Sequence, residues 1–353
     1  MQTVYVLKYF RQLLFYKPSP ASIEKSQPVS IVIALKDEAK NIPFLIKSLM
    51  NQTHPIYEVI IVNDRSSDGS FQLLNDASMQ HKNLNVINIK KLPPNWSGKK
   101  YALKNGIEAA IYDIVLLTDA DCIAKSSNWI TLMAAQLHTD TEIVLGFSPY
   151  IRKKGLLNQL IQFKTLWTGL QYLSFALAGH PYMGVGRNLA YKKSVFLKDS
   201  FTNTSHIVGG DDDLLVNKYA TPNNTKIIID SDSQTLSEPK TTWTSYFTQK
   251  IRHLSVGSHY RKKDRTRLGL FALSNWFGWI LLFILLFNHF DIILILSLFG
   301  IRSILFYTIF TRIGLKLGVR IRPFTLPLID LLYNLFYLVV GLRVLTAKRI
   351  KWS

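Results

Sequence analysis

The chain has 353 residues, enough for one substantial core and a smaller appendage. Its formal charge of +19, from 42 Lys and Arg against 23 Asp and Glu, suits anionic lipid or phosphorylated partners, and no zinc-finger or RNA-binding signature points to nucleic acid. The single Cys122 excludes an internal disulfide and a cysteine-based metal site, and the 48% of hydrophobic residues crowd the C-terminal end, which reads as membrane protein.

Residues 1–16 are apolar and aromatic, but Lys8 and Arg11 interrupt them and no small-residue cleavage site follows. Too short to span a bilayer, the segment reads as an amphipathic helix on the membrane surface or as a frayed end. After Pro18-Ser19-Pro20 the pattern changes. Residues 29–35, 58–63, 84–89 and 113–118 are short apolar runs rich in β-branched side chains. Helix-like segments at 41–50, from about 70, and at 99–110 separate them. Continuous buried strands alternating with helices predict an α/β fold with a mostly parallel sheet flanked by helices.

Residues 155–178 form a long apolar stretch whose only charge is Lys164. Two readings fit it, a helix of a further domain or one half-sunk in the membrane interface. Residues 250–267 carry seven Lys or Arg and one acid, Asp264. Three apolar segments follow, 268–287, 292–310 and 326–345, the first two joined by a short turn near 288–291. The preceding basic run, with Arg312, Lys316, Arg320 and Arg322, predicts a multi-pass inner or plasma membrane protein whose α/β domain faces the cytoplasm. Three spans would leave Lys348, Arg349 and Lys351 outside, so a re-entrant or interfacial third segment is the alternative. The expected organisation is an N-terminal segment and linker at 1–27, an α/β domain at 28–260, and a membrane domain of two or three helices at 261–353.

Acidic clusters fall where strands end, the place where open α/β sheets bind ligands. They are Asp37-Glu38, Asp64 with Asp68-Gly69, Asp119-Ala120-Asp121, and Asp211-Asp212-Asp213 after Gly209-Gly210. Two carboxylates at i and i+2 beyond a buried strand, Asp119 and Asp121, can share one hard divalent cation such as Mg²⁺ or Mn²⁺. Capping of a following helix is the simpler reading of any one acid.

In this order the motifs resemble those of the large family-2 class of inverting glycosyltransferases with the GT-A fold, across about residues 28–260. The matching pieces are the strand from Val29 into Glu38-Ala39-Lys40-Asn41, the segment Val62-Asn63-Asp64-Arg65, Gly98-Lys99 with Ala102-Leu103, the DxD at 119–121, and Met183-Gly184-Val185-Gly186-Arg187-Asn188. Asn63 stands where a further Asp is usual. The resemblance implies a nucleotide-sugar donor, a UDP-sugar for preference. Glu38 and Asp64 would contact the nucleoside, Lys99 would lie near the donor, Asp119 near ribose or phosphate, and Asp121 on the metal. Gly184 and Asn188 would lie on the acceptor side. The pattern of an acidic pair followed by x-Asp-Leu aligns Asp211 with the general base, Gly210 replacing the usual Glu, with Asp212 a close competitor.

Gln249-Lys250-Ile251-Arg252-His253 resembles the Q-x-x-R-W motif of processive synthases and ceramide glucosyltransferases. Gln249 and His253 would lie on the acceptor side, and Arg252 would meet the donor diphosphate, since guanidinium matches phosphate geometry. His253 takes the place of Trp, which weakens a processive role. The expectation is transfer of one sugar to a lipid-linked or membrane-proximal glycan acceptor among membrane lipids. A processive polysaccharide synthase and a catalytically inactive scaffold are the alternatives.

Overall fold

A computed structural model describes residues 2–18, 27–288 and 291–346. The chain divides into two compact units, one made of Pro18–Ile151 and Pro181–Pro239, the other of Met1–Lys17, Arg152–His180 and Lys240–Lys348. The boundary expected at residue 260 therefore falls inside the second unit. Part of the linker at 18–20, part of the turn at 288–291, and Lys348, Arg349 and Lys351 lie outside the described residues.

The α/β unit is built on strands β1 (Val29–Leu35), β2 (Tyr57–Asp64), β3 (Leu84–Ile89), β4 (Ile114–Leu117), β6 (Ile143–Leu145), β7 (Leu189–Lys192) and β8 (Thr225–Ile227) in the order β3-β2-β1-β4-β7-β6-β8. β1 pairs in parallel with β2 and β4, and β2 with β3; β7 runs antiparallel to both β4 and β6. A second, two-stranded sheet joins β5 (Cys122–Ala124) to β9 (Thr235–Ser237). The central strands are buried on both faces, which is why their sequences are unbroken apolar runs.

Helices α3 (Ile42–Met50), α4 (Ser70–Gln80), α5 (Gly98–Ala109), α6 (Trp129–Ala134), α8 (Lys193–Leu197) and α9 (Asp213–Tyr219) complete the unit. One core joins Ile31, Ile33 and Leu116 of the strands to Leu45 and Leu49 of α3 and to Trp129, Ile130 and Met133 of α6. The register Leu117↔Leu189 matters most for function. Because β7 is antiparallel to β4, the segment entering β7, residues 181–188, lies at the same sheet end as the chain leaving β4 at 118–121.

The second unit is helical: α1 (Gln2–Tyr5) and α2 (Arg11–Phe15) flanking a π-helical segment Val6–Phe10, then α7 (Leu156–Leu177), α10 (Trp243–Val256), α11 (Lys262–Phe287), α12 (Ile292–Lys316) and α13 (Leu326–Thr346). Among the described residues, three helices are long and apolar enough to cross a membrane: Lys262–Phe287, Ile292–Lys316 and Pro323–Thr346. The third segment is thus one continuous helix. The N-terminal segment is packed rather than frayed. Tyr5, Val6, Tyr9, Phe10 and Leu13 are buried, Tyr5 donates its hydroxyl to the Arg267 carbonyl, and Phe10 meets Phe271 edge-on. The Lys316 ammonium donates to the carbonyls of Leu13 and Leu14.

A buried polar network ties this unit together. Asp330 of α13 accepts from Asn275 and Trp279 of α11 and from Tyr307 of α12. Arg302 donates to Asn275 and to Gln2, which itself donates to Asn275 at 2.7 Å. Polar groups in an apolar helical bundle must find partners inside it, so such a network fixes which helix faces meet.

Candidate active site

The loops after β1 and β2 are laced together. Asp37 and Arg65 both adopt positive φ, 52° and 56°, a backbone region costly for residues with a Cβ. Hydrogen bonds between the loops hold them there. Ser67 donates its backbone N–H to Asp37, Ala39 to Asp68, and the Asp37 N–H goes to the Ser66 hydroxyl. Glu38 follows; its carboxylate accepts from Asn41, and its backbone N–H donates to Ser70.

Asp64, the last residue of β2, is buried and held by a two-pronged contact from Arg65, at 2.7 and 3.1 Å. It also explains the glycine opening α5. A Cβ on Gly98 would come within 2.1 Å of the Asp64 Oδ2, so only glycine lets this helix start against the carboxylate. Asn63 turns sideways and donates to Asn88 on β3.

Lys99, next along α5, joins two of the acidic clusters. Its ammonium lies 2.8 Å from Asp119 Oδ1 and 3.0 Å from Asp211 Oδ2. Burial works against its charge, yet the carboxylates of Asp119, Asp211 and Asp212 hold it protonated well above its usual range. Burial also pushes Asp211 up, but the Lys99 charge wins and holds this carboxylate below its usual range. Asp212 goes the other way. Burial and the neighbouring Asp211 carboxylate push it up to about 6, against Lys99 and the N–H groups of Gly186 and Asp213.

Two of the three adjacent aspartates are placed differently. Gly209 and Gly210, both at positive φ, turn the chain so that Asp211 points into the buried site. Asp212 is the N-cap of α9: one oxygen accepts from the Asp213 N–H and the other from the Gly186 N–H. Helix capping, the simpler reading of one acid in the triplet, therefore falls to Asp212.

Beyond β4, Asp119 and Asp121 are both partly exposed, while Ala120 between them is buried in the core. Ser237 of β9 approaches Asp121 Oδ1 at 3.5 Å. Two half-open carboxylates at i and i+2 are a donor set that Mg²⁺ or Mn²⁺ accepts, since such ions take one or two carboxylates and complete their shell with phosphate and water. Among the described residues no group of three or more His, Cys, Asp or Glu is arranged to hold a metal alone.

On the 181–188 segment, Gly184 is buried and Asn188 is fully committed inside the protein. The Asn188 side chain accepts from Trp129 Nε1 and donates to the carbonyls of Phe147 and Ser233, so it acts as a strut. Gln249, Arg252 and His253 lie in the helical unit on α10, where spacings of three and four put them on one helix face.

Two cations escape sequence reasoning. Lys100 is fully buried and donates to the Thr204 carbonyl. The Arg187 guanidinium stacks over Tyr150, 4.2 Å from the ring centroid. The β4–β7 register brings Arg187 to the DxD, and the motif that contains Arg187 assigns that side chain no role.

Comparison with known proteins agrees with this architecture. Residues 30–198 match the model of glycosyl transferase family 2. A 4,4'-diaponeurosporenoate glycosyltransferase of Staphylococcus haemolyticus is 30% identical over 33% of this chain and 30% of its own length. A poly-beta-1,6-N-acetyl-D-glucosamine synthase of Staphylococcus aureus is 26% identical over 58% of this chain and 48% of its own. The matches thus span less than half of either relative. Among solved structures, the mannosyltransferase PcManGT from Pyrobaculum calidifontis, in complex with GDP-Man and Mn²⁺, superposes with a TM-score of 0.67 at 16% identity, covering 99% of this chain and 96% of that one. Residues 30–198 thus resemble glycosyl transferase family 2, the chain shares the GT-A fold, and three helices able to span a membrane follow the α/β unit.

Proposed function

We propose that this protein moves a sugar, with inversion, from a nucleotide-sugar donor to the hydroxyl or phosphate of a lipid-linked or membrane-proximal acceptor. The observation that carries the reading is Lys99, whose ammonium joins Asp119 of the DxD to Asp211 of the acidic triplet. The acid suited to the donor side and the acid suited to the acceptor side therefore lie in one site. Glu38 and Asp64 are proposed to receive the nucleoside at the laced β1 and β2 loops. A UDP-sugar remains the first choice of donor, with a GDP-sugar, the ligand of the mannosyltransferase structure, as the second.

Asp119 and Asp121 would hold a divalent cation, which when bound offsets negative charge on a leaving diphosphate. Asp211, kept ionised by Lys99, is in the form that accepts a proton. With a hydroxyl acceptor it takes the proton as the acceptor oxygen bonds to the anomeric carbon and the bond from that carbon to the diphosphate oxygen breaks, the nucleoside diphosphate leaving. Asp212 holds Gly186 and the start of α9 in place. The basic residues flanking the membrane-capable helices support a cytoplasmic catalytic unit.

The similarity to a polysaccharide synthase supports a second, processive reading, against which His253 stands where that motif has Trp. The deciding experiment supplies the purified protein with labelled UDP- and GDP-sugars, Mn²⁺ and membrane lipid extract. Metal-dependent transfer, abolished by chelator and by Asp121→Ala, is expected, with a single-sugar product. A long polymer would favour the synthase, and neither transfer nor donor hydrolysis would leave the inactive scaffold.

A further inference from the structure

We infer that Arg187 is a phosphate-binding residue of this site, a receptor for a phosphoryl oxygen carried by the donor's diphosphate or by a phosphorylated acceptor. The inference rests on the glycosyltransferase reading above and adds a recognition element to it.

The backbone at this position is immobilised on every side. The Arg187 carbonyl accepts from the Thr118 hydroxyl at 3.0 Å and from the Thr235 hydroxyl at 2.7 Å. The preceding Gly186 donates to Asp212, and the following Asn188 is locked by Trp129, Phe147 and Ser233. Thr118 immediately precedes Asp119, so the tether sets Arg187 directly beside the DxD.

The side chain is positioned but unspent. Stacking on Tyr150 uses the flat face of the guanidinium and leaves its rim of N–H donors for other partners. Nη1 is buried and meets no hydrogen-bond acceptor among the described residues. Asp119 and Asp121 act on Arg187 through space, without a hydrogen bond. A buried N–H donor without an acceptor is costly, and a residue serving only to neutralise the DxD would gain by bridging to it. A fork with open donors beside two carboxylates suited to a cation matches a phosphoryl group, which brings oxygens to both.

The test uses the full-length protein in detergent with Mn²⁺, as wild type, Arg187→Met and Arg187→Lys. Calorimetry measures affinity for UDP, for GDP and for decyl phosphate, and melting temperature reports folding; Arg187→Lys keeps the charge if Arg187→Met does not fold. If the phosphate belongs to the donor, the nucleoside diphosphate bound by wild type weakens about tenfold or more in both variants. If it belongs to the acceptor, nucleotide affinity holds and decyl phosphate binding weakens by a similar factor. Either result supports the inference. Affinities for all three probes within twofold of wild type in a folded variant would overturn it, as would full restoration by Lys, which would reduce Arg187 to charge balance. Wild type that binds neither UDP nor GDP would overturn the glycosyltransferase reading itself, and this inference with it.

Discussion

Replacing Lys99 by methionine is the sharpest perturbation of this site, because it removes the one cation between Asp119 and Asp211 while keeping the length of the side chain. The Asp211 side chain is 5% exposed and that of Lys99 17%. Breaking such a pair strands a buried carboxylate, a change that costs about 3–5 kcal/mol. In a unit of this size, each kcal/mol moves the melting temperature by about 2–4 °C, so a drop of roughly 6–20 °C is expected at pH 8. The sign of the pH dependence follows from the shifts. In wild type, Asp211 is held below its unfolded value, so its contribution is present above that value and is lost as pH falls through the folded one. In the variant, only Lys100 and a backbone hydrogen bond still oppose burial, and Asp211 is expected to rise above its unfolded value. The folded state then binds the extra proton, and stability falls as pH rises. The gap between wild type and variant should therefore widen from pH 5 to pH 8, measured by thermal unfolding in detergent across that range. Equal melting temperatures at pH 8, or a gap constant across the range, would refute the claim that this ion pair holds the site together.

Asp211→Asn should lower turnover by about 10²–10⁴-fold with little change in donor affinity, whereas Asp212→Asn should be milder because asparagine still caps α9. Steady-state kinetics with donor titrations checks this, and a near-normal Asp211→Asn beside a dead Asp212→Asn would move the base by one residue. Gly98→Ala should weaken nucleoside diphosphate binding at least about tenfold, since its Cβ would strike Asp64 at 2.1 Å; unchanged calorimetric affinity would place the nucleoside elsewhere. Deleting residues 1–17 should leave the protein in the membrane fraction through a carbonate wash yet lower its melting temperature, because Tyr5, Phe10 and Leu13 are buried among the other helices. Loss to the soluble fraction would show that the C-terminal helices do not anchor it.

What the sequence reveals here is local, and what it conceals is long-range. The strands at 29–35 and 84–89 coincide with β1 and β3, since a buried parallel strand must be an apolar run with turn residues at both ends. Asp119 and Asp121 are legible for the same reason, as acids placed just past such a run. Arg187 is not, because its role depends on the pairing Leu117↔Leu189 across more than seventy residues. Asn188 looks like an acceptor-side amide in sequence, but its three internal partners come from α6, Phe147 and Ser233, which no local pattern relates. The N-terminal segment is hidden in the same way: its apolar face answers to Arg267, Phe271 and Lys316, far along the chain.

That distance also sets a schedule for biosynthesis. Gln2 bonds to Asn275, 273 residues later, and Asn275 in turn needs Asp330 and Asn334. At about 5–20 residues per second, the ribosome needs roughly 14–55 s to supply the first of these partners. The α/β unit has all its described strands by Ser237, so it can fold while the N-terminal segment still waits. During that interval α7 offers Phe175 to Tyr5 and Tyr9, but Phe10 still lacks Phe271 and Phe306, so part of the apolar face stays uncovered. A membrane surface or a chaperone is the natural temporary partner. The helical unit, assembled from segments that flank the α/β unit in sequence, is thus the part of the molecule whose yield depends most on how quickly translation supplies its later helices.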